Sequence, residues 1–274
     1  MGRPTGQGSQ PRSGERVFTR FIQRTLLVRA WITGGVHMIP RWKVILRDYG
    51  EGDAEVSWGA SSGAQRQGAE RGKSKNRERN IERCNRRAKG ELRRKVMSGG
   101  LDHLLTLTFR ENVQDKDEAT RYFQKFVRLV HRYKPDWKYA EVPERQERGA
   151  LHFHMGVKGY QDVTLLRSLW RSVVGEGNVD VQYKKTGKGH QWRKAKLASY
   201  LCKYIGKDMV TELNEKRYRV SPGIVVPEEV IYLRTGTSAK DYALFKLQSV
   251  AGKIGFVWCP EESYGQYGWA CSWG

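Results

Sequence analysis

The chain has 274 residues, with 50 Lys and Arg against 29 Asp and Glu, giving a formal charge of +21 and a pI near 10.0. That length accommodates one or two domains with a buried core, and 38% hydrophobic with 11% aromatic residues argues against wholesale disorder. No stretch is long and apolar enough to span a membrane. The fairly apolar segment Val17–Pro40 is interrupted by Arg20, Arg24 and Arg29, and it lacks the uncharged core and small-residue cleavage site of a signal peptide. The charge excess points to a polyanionic partner, nucleic acid first, because phosphates reward clustered Lys and Arg through counterion release. Cys84, Cys202, Cys259 and Cys271 form no CxxC pair, which excludes a zinc ribbon and fits a reducing cytoplasm.

Along the chain, residues 1–16 are rich in Gly, Pro, Ser, Gln and Arg and are expected to be a disordered tail. Residues 17–59, with Trp31, Trp42 and Trp58, show no clean period, so strands and a helix both remain open. Residues 61–75 are Ser-, Gly- and Gln-rich and read as a linker. A phosphate-loop near-miss, Gly68-Ala-Glu-Arg-Gly72-Lys73-Ser74, is one residue short and follows no strand, so the chain carries no ATPase engine of that kind. From Ser62 to Met97 there are 13 Lys and Arg against 4 Asp and Glu. The helical run in this stretch offers Arg83, Arg86, Arg87, Arg93 and Arg94 to a DNA backbone.

Regular patterning begins at Leu101. His103–Phe109 predicts a central strand. Asp115 or Asp117 caps a helix to about Tyr133, with Ala119, Tyr122, Phe123, Phe126, Val127 and Val130 at helical spacing and Pro135 as its stop. Trp137–Pro143 and Ala150–Val157 flank a hairpin turn at Glu147-Arg148-Gly149. Asp162 caps a helix bearing Leu165, Leu166, Leu169, Trp170 and Val173, with Gly175 past its end. Asn178–Tyr183 is a strand, a Lys/Gly loop with Lys184 and Lys185 follows, and a third helix spans about Arg193 to Lys207. Strand-like pieces at Gly223–Val226, Val230–Leu233 and Ile254–Cys259 precede an aromatic, Gly-rich end. The order predicts an α+β sandwich with a largely antiparallel sheet.

Two constellations carry chemistry. In His152-Phe153-His154, residues two apart on a strand share a face, so both imidazoles project together and Phe153 goes to the other side. A turn centred near Arg148 sets Glu144 opposite His152, and Gln146 shares its parity, whereas Glu141 and Glu147 belong to the other face. Two imidazoles and a carboxylate suit a divalent cation. The second constellation is Tyr200-Leu-Cys-Lys203-Tyr204-Ile-Gly-Lys207. Positions four apart on a helix are neighbours, with Cβ atoms about 5–6 Å apart, so the two phenols and the two lysines each pair on a face. Together these parts suggest phosphoryl transfer in which a tyrosine oxygen attacks phosphorus while a cation and lysines offset the growing charge.

The set LLTLTF (104–109), RGALHFH (148–154) and YLCKYIGK (200–207) resembles the three motifs of the HUH endonuclease superfamily. The doubled YxxK form is similar to the two-tyrosine rolling-circle replication initiators, the gene A-type proteins of phages and plasmid Rep proteins. The resemblance covers roughly 76–210, with 17–75 as an N-terminal extension and 211–274 as a C-terminal one. It implies an HUH-type sandwich in which helices flank a central antiparallel sheet. His152 and His154 would be ligands of Mg2+ or Mn2+, with Glu144, or alternatively Gln146, as the third. Tyr200 and Tyr204 would be alternating nucleophiles, with Lys203 and then Lys207 assisting. The implied partners are single-stranded or supercoiled origin DNA, contacted also by Lys184, Lys185, Arg193, Lys194 and Lys196, together with a host helicase and DNA polymerase in a bacterial cytoplasm. A two-tyrosine transposase shares the motifs. A non-catalytic origin-binding protein is the alternative of a different class.

Overall fold

The computed structural model describes residues 42–60, 76–182, 194–206, 216–233 and 238–273, all within one compact unit spanning Pro40–Gly274. The tail at 1–16, the linker at 61–75 with its phosphate-loop near-miss, and Tyr183, Lys184, Lys185, Arg193 and Lys207 lie outside the described residues.

A hairpin opens the fold, made of β1 (Trp42–Asp48) and β2 (Ala54–Ala60). Its turn needs left-handed backbone at Gly50 and Gly52 (φ +77 and +78), which glycine adopts without steric cost. Helix α1 (Arg77–Gly99) follows and ends on Gly100 in the left-handed region. Then come β3 (His103–Phe109), α2 (Lys116–Tyr133), the hairpin β4 (Tyr139–Arg145) and β5 (Leu151–Val157), α3 (Val163–Val174) and β6 (Gly177–Gln182). The Asp115 carboxylate accepts from Glu118 N at 2.6 Å and that of Asp162 from Leu165 N at 3.0 Å, so both helices start on an acidic cap. Helix α4 (Lys194–Cys202), β7 (Arg219–Val220), β8 (Glu229–Leu233), α5 (Ala239–Ala251), β9 (Phe256–Trp258) and β10 (Gly268–Cys271) complete the chain.

Among the described residues these strands form two five-stranded sheets, ordered β6-β3-β5-β4-β7 and β8-β1-β2-β10-β9, with every pairing antiparallel. The α+β expectation stands, and the structure adds a second sheet to the single central one. That second sheet joins β1 and β2, from before the motif-bearing segment, to β8, β9 and β10, from after it. Gly223–Val226 is not a strand, and Ile254–Cys259 shortens to Phe256–Trp258.

The first sheet is buried on both faces. Leu105, Leu107, Phe153 and Met155 pack against Phe123 and Phe126 of α2 and Leu166 and Trp170 of α3. The other face, with Leu104, Ala140 and Val142, packs against Leu92 and Val96 of α1 and Leu197 and Leu201 of α4. The second sheet buries Val44, Val56 and Trp58 beneath Ala243 and Leu247 of α5. Helix α1 reaches both sheets. Beyond its apolar stripe, Arg93 Nη2 and Arg94 Nε each lie 2.9 Å from the fully buried Glu55 carboxylate of β2, and Arg47 Nη1 lies at 3.4 Å. Burial opposes the charge on Glu55 most strongly as a single influence, yet the three arginines together hold its pKa below the ordinary carboxylate value.

Candidate active site

The β4–β5 hairpin is closed by Gln146 N to Ala150 O and Gly149 N to Gln146 O, both 2.8 Å. Gly149 sits at φ +90, where a Cβ would also meet the Gln114 side chain at 3.0 Å. This turn sets the register that places Glu144 across from His152 and Val142 across from His154. Phe153 points into the opposite core, so the period of two puts both imidazoles on the α1–α4 face, with ring centroids 6.2 Å apart. Glu144 Oε2 lies 2.7 Å from His154 Nε2, the diagonal neighbour rather than the residue directly opposite. Thr106 of β3, facing His154 in register, brings its Oγ1 to 3.5 Å from Nδ1.

His152 is half-buried, and its Nε2 is buried without a hydrogen-bond partner. Burial, and next the neighbouring His154, lower its pKa to about 4, so the ring is neutral at pH 7 with an uncommitted nitrogen. Glu141 lies on the opposite face of β4, fully buried and paired with Arg219 at 2.9 Å, and Glu147 is exposed in the turn. Gln146 lies beyond the end of β4, and its Oε1 accepts from Arg148 Nε at 3.1 Å.

Helix α4 stops at Cys202, earlier than its spacing predicts. The chain continues in tight i to i+3 turns: Lys203 N to Tyr200 O at 3.1 Å, Tyr204 N to Leu201 O at 3.2 Å and Ile205 N to Cys202 O at 3.3 Å. Tyr200 therefore sits on the helix and Tyr204 in the turn after it, and the tightened turn still brings them together. Tyr204 Oη donates to Tyr200 Oη at 2.6 Å. The Tyr204 ring lies flat on His154, with 4.0 Å between centroids and 9° between planes, and Tyr200 meets the same imidazole edge-on at 6.2 Å. Burial, the hydrogen bond to Tyr200 and the nearby charges of Tyr200 and Glu144 raise the pKa of Tyr204 well above that of an ordinary phenol. Cys202, between the tyrosines, donates its thiol to Lys89 O at 3.3 Å, and burial pushes its pKa up to about 11, which suits a packed thiol rather than a nucleophile.

What brings α4 this close is a residue that motif reasoning passed over. Gly156 continues the face of His152 and His154 by the same period of two. A Cβ there would lie 3.2 Å from Leu201 and 3.4 Å from Leu197. The signal was in the sequence, in the H-F-H-M-G alternation, but its meaning depends on which helix lands there. Lys203 is exposed, with Nζ 5.8 Å from the centre of the Tyr200 ring.

Residues 102–209 match the family model of replication-associated protein ORF2/G2P. That stretch, about two-fifths of the chain, holds β3, both histidines, Glu144 and both tyrosines, and it is similar to replication-associated proteins. No curated protein matches the chain. One similar solved structure is the hypothetical protein ORF119 from Sulfolobus islandicus rod-shaped virus 1, 14% identical over 44% of this chain and 97% of that one, with a TM-score of 0.31.

Among the described residues, the basic side chains expected at DNA divide into two sets. Arg83, Arg86, Arg87 and Lys196 are exposed. Arg93 and Arg94 are committed to Glu55, and Lys194 Nζ pairs with Glu51 at 3.0 Å and Asp53 at 3.2 Å. Among the described residues no three His, Cys, Asp or Glu side chains are gathered as a ready metal-binding group, and no helix is long and apolar enough to cross a membrane.

Proposed function

We propose that this protein nicks one strand of a replication origin by tyrosine attack and so initiates rolling-circle replication, with Tyr200 attacking first. The observation that carries the reading is the pair of phenolic oxygens 2.6 Å apart against the imidazole of His154. Tyr204 is held neutral and donates to the Tyr200 oxygen, so Tyr200 is the phenol whose negative charge has a donor waiting for it. Its Oη attacks the scissile phosphorus. A phosphorus–oxygen bond to tyrosine forms as the bond from phosphorus to the 3′ oxygen breaks. The phenolic proton leaves to solvent, and the departing oxygen takes up a proton beside Lys203 to become a 3′ hydroxyl. One phosphodiester replaces another, so the bond energy is kept and no nucleoside triphosphate is consumed. Tyr204 then serves the closing transfer.

A divalent cation, Mg2+ or Mn2+, belongs to this reading. His152 and His154 would hold it with Glu144, or Gln146 in place of the carboxylate. The donor chemistry fits, because His152 offers a neutral ring with an orphaned Nε2 beside a second imidazole and a carboxylate already in contact. When bound, the ion supplies charge neutralisation at the phosphate. Origin DNA is the substrate on this reading, and a host helicase and polymerase in a bacterial cytoplasm would extend the freed 3′ end.

Incubating a supercoiled plasmid carrying the cognate origin with the protein and Mn2+ tests this. Nicked plasmid joined covalently to Tyr200 or Tyr204 is expected. Binding without nicking, or DNA attached to Tyr218, overturns it.

A further inference from the structure

The second sheet presents a face that the proposed nicking reaction does not use. One side of this sheet lies under α5. On the other side, α1 meets Glu55 through Arg93 and Arg94, and Arg93 also lies 4.4 Å over the Trp269 ring. Beyond that contact, among the described residues, this side carries exposed aromatic rings. Register aligns Trp258, Trp269, Ser57 and Ile45 in one row across β9, β10, β2 and β1, and Tyr232 beside Lys43 in the next. A Cβ on Gly59 would touch Tyr267 at 3.6 Å. Gly59, with no side chain, therefore leaves a shallow trough between Tyr267 and Lys43. Trp258 and Tyr267, rings 6.2 Å apart, wall one side, and Lys43 and Tyr232 wall the other. Trp258, Tyr267 and Tyr232 are 50%, 49% and 54% exposed. From β8 to β9 the sheet is about 19 Å across at ordinary strand spacing.

Helix α1 links this trough to the tyrosines. An added Cβ on Gly206, just past Tyr204, would run into Asn85, and Cys202 donates to Lys89 O. Arg93 lies eight residues beyond Asn85, about 12 Å along the axis. Arg86 and Lys89, exposed, share the Arg93 side at helical spacing.

We propose that this face binds single-stranded DNA flanking the nick, with bases stacked on Trp258, Tyr267 and Tyr232 and phosphates drawn to Lys43 and the exposed basic residues of α1. Exposed aromatic rings interleaved with cations suit unpaired bases, whose flat faces are open, and not a duplex, whose base faces are hidden. A second copy of the chain is the less fitting occupant, since each copy carries +21 and the two repel. The inference rests on DNA being the ligand of the protein.

The test is binding of a fluorescein-labelled oligothymidylate, and of a duplex of equal length, to the full chain by anisotropy. Trp258→Ala and Tyr267→Ala should each weaken oligothymidylate binding about tenfold, with duplex binding unchanged and Trp258→Phe restoring most of the loss. Photocrosslinking of 5-iodouracil oligonucleotides to the unaltered protein, expected at Trp258, Tyr267 or Tyr232, serves if a variant misfolds. Unchanged oligothymidylate affinity, equal loss for duplex, crosslinks confined elsewhere, or a dimer that dissociates in the variants would each overturn the proposal. Covalent adducts scored on the same unaltered protein report on nicking separately, so either reading can fail while the other stands.

Discussion

Replacing Tyr204 with phenylalanine removes one oxygen and leaves the ring free to stay stacked on His154 at 4.0 Å. The variant therefore isolates the 2.6 Å hydrogen bond to Tyr200. While Tyr200 is neutral that bond is an ordinary one, but as charge gathers on the Tyr200 oxygen it becomes charge-assisted and contributes roughly 1.5–3 kcal/mol. Losing it should slow the first cleavage about ten- to a hundredfold. Tyr200→Phe removes the oxygen itself and should abolish the first adduct at every pH. The assay is single-turnover formation of the protein–DNA adduct on a short single strand containing the nick sequence, resolved on a denaturing gel from mildly acid to alkaline pH. A Tyr204→Phe rate equal to wild type throughout, or early adducts that persist in Tyr200→Phe, would refute the assigned order.

Further outcomes are expected from the same geometry. His152→Ala with His154→Ala should abolish cleavage and retain most of the DNA affinity, which anisotropy and nicking assays on one preparation would separate. Glu55→Gln should cost about 2–4 kcal/mol in urea unfolding, because three arginines lose a buried counter-charge; this is below the roughly 3–5 kcal/mol of a fully buried pair because solvent reaches Arg93 and Arg94, 24% and 27% exposed. The folded pKa of Glu55 is lowered from its ordinary 4.5, so its stabilisation is present above about pH 4.5 and is lost as pH falls through the folded value. Wild type should lose stability across that acid window, and Glu55→Gln should show a flatter profile. Gly156→Val should crowd Leu201 and Leu197, costing about 1–3 kcal/mol, and should depress adduct formation more than DNA binding as α4 and Tyr200 are displaced.

The local signals were legible because they depend on short-range geometry. A period of two placed His152 and His154 on one face and excluded Glu141, which the structure shows buried on the other side with Arg219. Asp162 was readable as a cap, and Asp115 as one of two candidates with Asp117, because a short carboxylate can reach backbone N–H groups only at a helix start. The spacing of Tyr200 and Tyr204 predicted adjacency, although the route differs, since the helix ends at Cys202 and tighter turns supply the last step.

Where contacts join distant stretches, the sequence by itself was silent. Residues 42–60 had no visible partner because their strands complete a sheet with residues roughly two hundred positions later, and β-pairing leaves no mark on either strand alone. Arg93 and Arg94 read as two more cations in a basic run, and only packing turned them onto Glu55, where a buried carboxylate needs compensation that solvent cannot supply. The histidine strand and the tyrosine segment were each recognisable alone. Their meeting was decided by tertiary structure, through Gly156, because the absence of a side chain matters only once a helix arrives to occupy the space.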